Sequence, residues 1–234
     1  MAKTESKRMR SALHYLIEFL VILLGITVSV TIEKNSARQY KREVKDQGLT
    51  RILANIEQDS LDFVYNIRVH TEAETSCRWM VTHRDQLPEQ HPDTIGKHCN
   101  LCIMGQTILV DNQEEYRTLQ NSGLFEFIEN DALARAMQNK YAEHTGLKAA
   151  EAFMLDASTK TYPTFYRCLE SHPDIPFDGN IVLRRWNGES FGAPFLERLV
   201  DISIHHGILA RLMSTRLEKD AELGSLIRAE IGAE

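Results

Sequence analysis

The sequence predicts an all-α protein in which an N-terminal transmembrane helix continues into an antiparallel helical bundle. Three observations predict this class. Leu13 to Ile32 reads LHYLIEFLVILLGITVSVTI, whose only strongly polar members are His14 and Glu18. From Ser36 to Arg84 there is no proline and one glycine, Gly48, while apolar residues recur at helical steps of three, four and seven. A last long apolar-periodic stretch runs from about Pro194 to Ile231.

The chain divides accordingly into a basic tail (1–11), a membrane helix (12–33) and a helical soluble domain (34–234). Twenty residues at a helical rise of about 1.5 Å span about 30 Å, the thickness of a bilayer's hydrocarbon core. Lys7-Arg8-Met9-Arg10 resembles the basic start of a secretory signal. The apolar stretch is long for such a signal, however, and no A-x-A cleavage site follows, so a retained anchor is expected. The unbroken run Phe19 to Leu24 lacks the polar face of a soluble surface helix.

Basic residues flank the span on both sides: Lys3, Lys7, Arg8 and Arg10 before it, Lys34, Arg38, Lys41, Arg42 and Lys45 after it. A short tail with four basic residues is awkward to translocate, and the even count of four cysteines suits an oxidising compartment. The expected placement is therefore a single membrane crossing with the N-terminus inside and the soluble domain outside.

Two segments carry a family resemblance. Tyr15-Leu16-Ile17-Glu18, followed by Gly25-Ile26, Ser29, Thr31 and Asn35, resembles the span of a bacterial family of single-pass, membrane-anchored helical proteins known as a domain of unknown function. The stretch EEYRTLQNSGLFEFIENDALARAMQNKY, Glu114 to Tyr141, is similar to that family's second recurring segment, where a Tyr-x-x-Leu helix ends at Ser-Gly and another opens at Asn-Asp. The chain departs from the family at Ile17, where glycine is usual, and at Glu33-Lys34-Asn35, where an Asn-Trp-Asn-like exit is usual. The resemblance implies an anchored helical domain and lends no catalytic residue.

In the soluble part, Leu49, Ile52, Leu53, Ile56, Phe63, Val64 and Ile67 mark one helical face, and no breaker separates it from the membrane helix. Residues 85–110, rich in Pro, His, Asp and Gly, read as an irregular loop holding His91, His98, Cys99 and Cys102. Asp111 or Asn112 caps a short helix ending at Asn121-Ser122-Gly123, and Asn130-Asp131 opens another through Leu133, Met137 and Tyr141. Ala149 to Leu169 is expected to be helical with a bend near Pro163. Residues 172–194 read as a second irregular loop, with Ile181-Val182-Leu183 a short strand at most. On the last helix Leu196, Leu199, Val200, Ile204, Ile208 and Leu212 are expected to face inward.

Chemistry-bearing residues are few. The four cysteines, Cys77, Cys99, Cys102 and Cys168, allow three pairings. Cys99-Asn100-Leu101-Cys102 has redox spacing, but no β-α-β pattern surrounds it, so a structural disulfide is favoured over a thiol-redox site. A zinc reading draws on Cys99, Cys102 and His98 with Cys77, His91 or His83, yet lacks the second tight ligand pair of structural sites. His205-His206 reads as a core-edge and a surface histidine. There is no phosphate loop, zinc helix, nucleophile elbow or paired-carboxylate motif, so no cofactor and no catalytic residue is expected. The net charge of -6 offers no footprint for nucleic acid.

The membrane helix itself carries a stripe. His14, Glu18, Gly25 and Ser29 fall on one face, with Ile22 and Glu33, while Leu20, Leu23 and Leu24 lie opposite. Gly25 and Ser29 form a small-x-x-x-small pair, and Glu18 is costly in hydrocarbon unless it meets protein or water. The expected function is a membrane-anchored interaction or scaffold protein that contacts the bilayer and either itself or a partner membrane protein. The alternative is a thiol-redox or metal-binding protein acting through Cys99 and Cys102; a third reading is a sensor whose bundle binds a small ligand.

Overall fold

The computed structural model describes residues 2–110, 112–171 and 184–232, with side chains from His14 onward. One helix, α1 (Ala2–Thr82), contains both the apolar stretch and the spine of the bundle. Its 81 residues would extend roughly 120 Å. Within it an 18-residue window reaches a mean hydropathy of 2.3 with none of it buried, long and apolar enough to cross a membrane. Every residue from His14 to Glu43 is exposed; burial begins at Val44. Beyond that point Lys45, Leu49, Ile52, Ile56, Phe63, His70, Cys77 and Met80 turn one continuous face inward.

A 3₁₀ turn (Arg84–Glu89) leads into α2 (Pro92–Met104), then α3 (Glu114–Asn121), a second 3₁₀ turn (Leu124–Phe127), α4 (Asp131–Thr159) and α5 (Tyr162–Cys168). A two-stranded antiparallel ribbon, β1 (Leu169–Ser171) with β2 (Arg184–Trp186), precedes α6 (Ala193–Ile231). Side-chain pairs set the directions. Lys45 meets Glu230, Glu57 meets Arg228 and His70 meets His206, so α6 runs antiparallel to α1. Lys140 meets Asp220 and Glu143 meets Arg216, so α4 is antiparallel to α6. Cys77 meets Cys102 and His70 meets Thr107, so α2 and the segment after it descend along α1.

The result is an up-down-up-down bundle of about 57 Å, taken from the rise of residues 44–82, whose second pillar is unusual. That pillar is helical only to Met104; from Gly105 to Val110 it is a strap with neither helix nor strand. Three core clusters stack along the bundle. The end far from the apolar stretch is filled by fourteen buried residues around Cys77, Ile95, Phe165 and Leu199, and the near end by ten around Leu49, Leu119, Leu133 and Ile227. The middle, at the level of the strap, has six among the described residues: Phe63, Leu109, Leu147, Met154, Leu209 and Met213. A strap without helical turns is thinner than a helix, so the middle layer is incompletely filled.

Three expectations require correction. Residues 85–110 are not an irregular loop throughout: His91, in extended conformation, precedes Pro92 at the first helical positions and accepts from the Asp93 amide at 3.3 Å, a good helix start. Ile95, Cys99, Cys102 and Ile103 then form the helix's buried face. Gly96 is there because α2 lies against β2; a Cβ would sit 1.9 Å from the Arg184 carbonyl oxygen. On α6, Leu199 is buried, but Val200, Ile204, Ile208 and Leu212 are exposed, and the inner face carries Ile202, Ser203, His206, Leu209 and Met213. The helix is apolar on two sides, and its core side includes polar residues. The stretch Ala149 to Leu169 is two helices, α4 and α5, separated at Lys160-Thr161, with Pro163 in the first turn of α5. In the second loop region, residues 172–183, which include Ile181-Val182-Leu183, lie outside the described residues.

Candidate functional site

In the thinly filled middle layer the bundle buries charge. Lys140 on α4 donates to Asp220 at 2.7 Å and to Asp59 at 3.2 Å, and all three side chains are almost wholly buried. Arg216 extends the network: Nη2 reaches Asp220 Oδ1 at 2.9 Å and Nη1 reaches Glu143 Oε2 at 3.3 Å. Lys219 holds the other Glu143 oxygen at 2.6 Å. The Lys219 ammonium, helped by Arg216, keeps the Glu143 carboxyl below its ordinary range despite some burial. Apolar residues of similar volume would stabilise a bundle at least as well as such a network, because desolvating the ions offsets most of their attraction. The charges therefore set the character of this layer more than its stability.

Beside the network lies a cleft of about 490 Å³, between α1, α4, α6 and the strap. Phe63, Leu109, Leu147 and Leu212 supply apolar walls, and Lys140, Glu143, Arg216 and Lys219 supply charge. The strap is tied down beside it. Glu151, itself buried, accepts from the Leu109 amide at 2.8 Å, Lys148 donates to the Leu109 carbonyl, and Asp62 accepts from the Val110 amide at 3.2 Å.

Higher up, two buried imidazoles finish the tie. His206 Nε2 lies 3.0 Å from the Cys102 carbonyl, an acceptor, so this nitrogen carries the proton. In the neutral ring His206 Nδ1 is then the acceptor, and His70 Nδ1, 2.8 Å away, donates to it. His70 Nε2 in turn accepts from the Thr107 hydroxyl at 3.4 Å. One chain of hydrogen bonds, with both rings neutral, thus joins strap, α1, α6 and the end of α2. Burial pushes both imidazoles down, to about 4, each imidazolium also being opposed by a neighbouring histidine.

The cysteines divide differently from the redox spacing. Cys77 on α1 is bonded to Cys102, with Cα atoms 4.9 Å apart, while Cys99 and Cys168 are free and buried. Cys99 is the eighth residue of α2, beyond the reach of its N-terminal dipole, and burial, with the nearby Cys168, pushes its thiol well up. Cys99 and Cys102 therefore do not form an exposed dithiol. Among the described residues no group of three or more His, Cys, Asp or Glu is placed to hold a metal, and His98 instead stacks on Trp79 at 4.1 Å between ring centroids.

On the apolar stretch, His14 Nε2 lies 3.4 Å from Glu18 Oε1, one turn apart. A Cβ on Gly25 would meet nothing within 4 Å, and Ser29 is exposed. The ionic network, the cleft and the histidine pair went unforeseen in the sequence. Lys140, Asp59 and Asp220 are far apart in the chain and none stands in a motif, and the His205-His206 pair was expected at the core edge and the surface. One signal was present: Asp59 and His70 fall on the same helical face as Ile52, Ile56 and Phe63. Comparisons with protein-family models, with curated proteins and with solved structures find no match to this chain.

Proposed function

We propose that this protein is a single-pass, membrane-anchored interaction protein, a scaffold or accessory subunit of a membrane complex. One observation carries the reading: the apolar stretch and the spine of the bundle are a single unbroken helix. A contact made in the membrane by the face bearing His14, Glu18, Gly25 and Ser29 would set the rotation and height of the whole bundle. Gly25 and Ser29 admit a second backbone, and the Glu18 carboxyl with its His14 neighbour offers a polar tie across it. The resemblance of two segments to a family of anchored helical proteins agrees with it.

In this reading the bundle stands in the periplasm of a bacterium. The Cys77–Cys102 disulfide supports that side, since such bonds persist in oxidising compartments. The test is crosslinking in native membranes, read by size analysis in mild detergent. Parent protein should give a higher-order species with itself or another membrane protein. Gly25→Leu should remove most of it through bulk and Glu18→Leu should weaken it, with interhelical hydrogen bonds worth about 0.6 to 2 kcal/mol each. Leu20→Ile and Leu24→Ile should behave as the parent. A parent without any such species, or a Gly25→Leu variant that keeps all of it, would overturn the reading.

A further inference from the structure

The cleft in the middle layer has three properties that belong together. Its volume, about 490 Å³, lies within the range of about 300 to 1,000 Å³ common to small-molecule sites, and its walls are apolar with a few convergent polar groups. Its lining holds three cations, Lys140, Arg216 and Lys219, and one carboxylate, Glu143, while Asp59 and Asp220, which pair with Lys140 and Arg216, are outside that lining. Its mouth is kept open at a cost. Gly146 sits inside α4, a 29-residue helix, where glycine is a poor helix former. A Cβ there would meet nothing within 4 Å, so no packing contact requires the glycine. Gly146 and Ala142, one turn earlier, both line the cleft.

We propose that this cleft binds a single-chain anionic amphiphile, a medium-chain carboxylate being the simplest example. The chain lies against Phe63, Leu109, Leu147 and Leu212, and the acid replaces Glu143 between Arg216 and Lys219. Glu143 is half exposed on the rim, and its two oxygens already occupy the positions an incoming carboxylate would take, 3.3 Å from Arg216 and 2.6 Å from Lys219. Swinging it into water frees Lys219 and Arg216 Nη1, while Arg216 Nη2 stays on Asp220. Neutral or cationic amphiphiles gain the walls but not this exchange.

The test uses the full chain in phosphatidylcholine nanodiscs and a diazirine-bearing decanoate, with labelled peptides mapped by mass spectrometry. Labelling should concentrate on peptides containing Leu109, Leu147 and Leu212, and excess decanoate should suppress it at least tenfold, decanol and decyltrimethylammonium much less. Gly146→Phe, which obstructs the open mouth, should cut labelling about tenfold, and Lys219→Glu, a change at a half-exposed site, at least fivefold. Circular dichroism melting checks that both variants fold, and the Lys219→Glu result stands alone if the larger residue does not. Labelling confined to the apolar stretch, labelling unchanged in Lys219→Glu, or equal competition by the three amphiphiles would overturn the proposal.

Discussion

His70 and His206 show how single residues tie the bundle's pillars together. Both rings are neutral in the hydrogen-bond chain from Thr107 to the Cys102 carbonyl, and protonating either one breaks a link and buries a charge. Their folded values, about 4, lie below the unfolded value near 6.5. Between these the unfolded chain binds more protons, so the stability they contribute is full above pH 6.5 and falls as the pH drops towards 4. The urea midpoint should therefore decline steadily from pH 7 to pH 5, a window above the depressed carboxyls of Glu143 and Glu230. The double variant His70→Gln/His206→Gln should show a much shallower decline. A flat profile in the parent, or the same slope in the variant, would contradict the neutral pair.

At the scale of elements, two glycines in helices make opposite predictions. Gly96→Ala puts a Cβ 1.9 Å from the Arg184 carbonyl and 2.9 Å from Arg185 Cα, so α2 and β2 must part. The expected loss is about 1 to 3 kcal/mol in urea unfolding. Gly146→Ala meets open space and should gain up to about 1 kcal/mol from helix propensity. Shifts of the same sign would show that the two packing environments are wrong. The same elements explain what the sequence concealed. Helix α2 looked like a loop because Pro92 and Gly96 usually punctuate, whereas here one starts the helix and the other admits a strand. The inner face of α6 was misplaced because Val200, Ile204 and Ile208 outrank Ser203 and His206 in hydropathy, yet the polar pair has partners inside. Helix α4, by contrast, was legible from Asn130, whose side chain accepts from the Ala132 and Leu133 amides.

At the scale of the molecule, the apolar stretch and the absence of any breaker after it were readable because both are local. The cleft was not, since Phe63, Lys140 and Arg216 meet only through three helices and a strap. The whole is a rod and a bundle in one piece. The bundle makes its first side-chain contacts with α1 at Lys41, over the Phe127 ring, and Arg42, paired with Glu129. Residues 33–40, about 12 Å of helix, separate those contacts from the apolar stretch. The proposed function has the apolar end held in a bilayer and the bundle, with its Cys77–Cys102 disulfide, in an oxidising space. The most direct test is a bacterial membrane preparation of the full chain with a reporter fused after its last residue, washed in carbonate. The account predicts full-length protein in the carbonate-resistant fraction and a reporter active only on the periplasmic side. A soluble form beginning after Ile32, or a reporter active only in the cytoplasm, would contradict it.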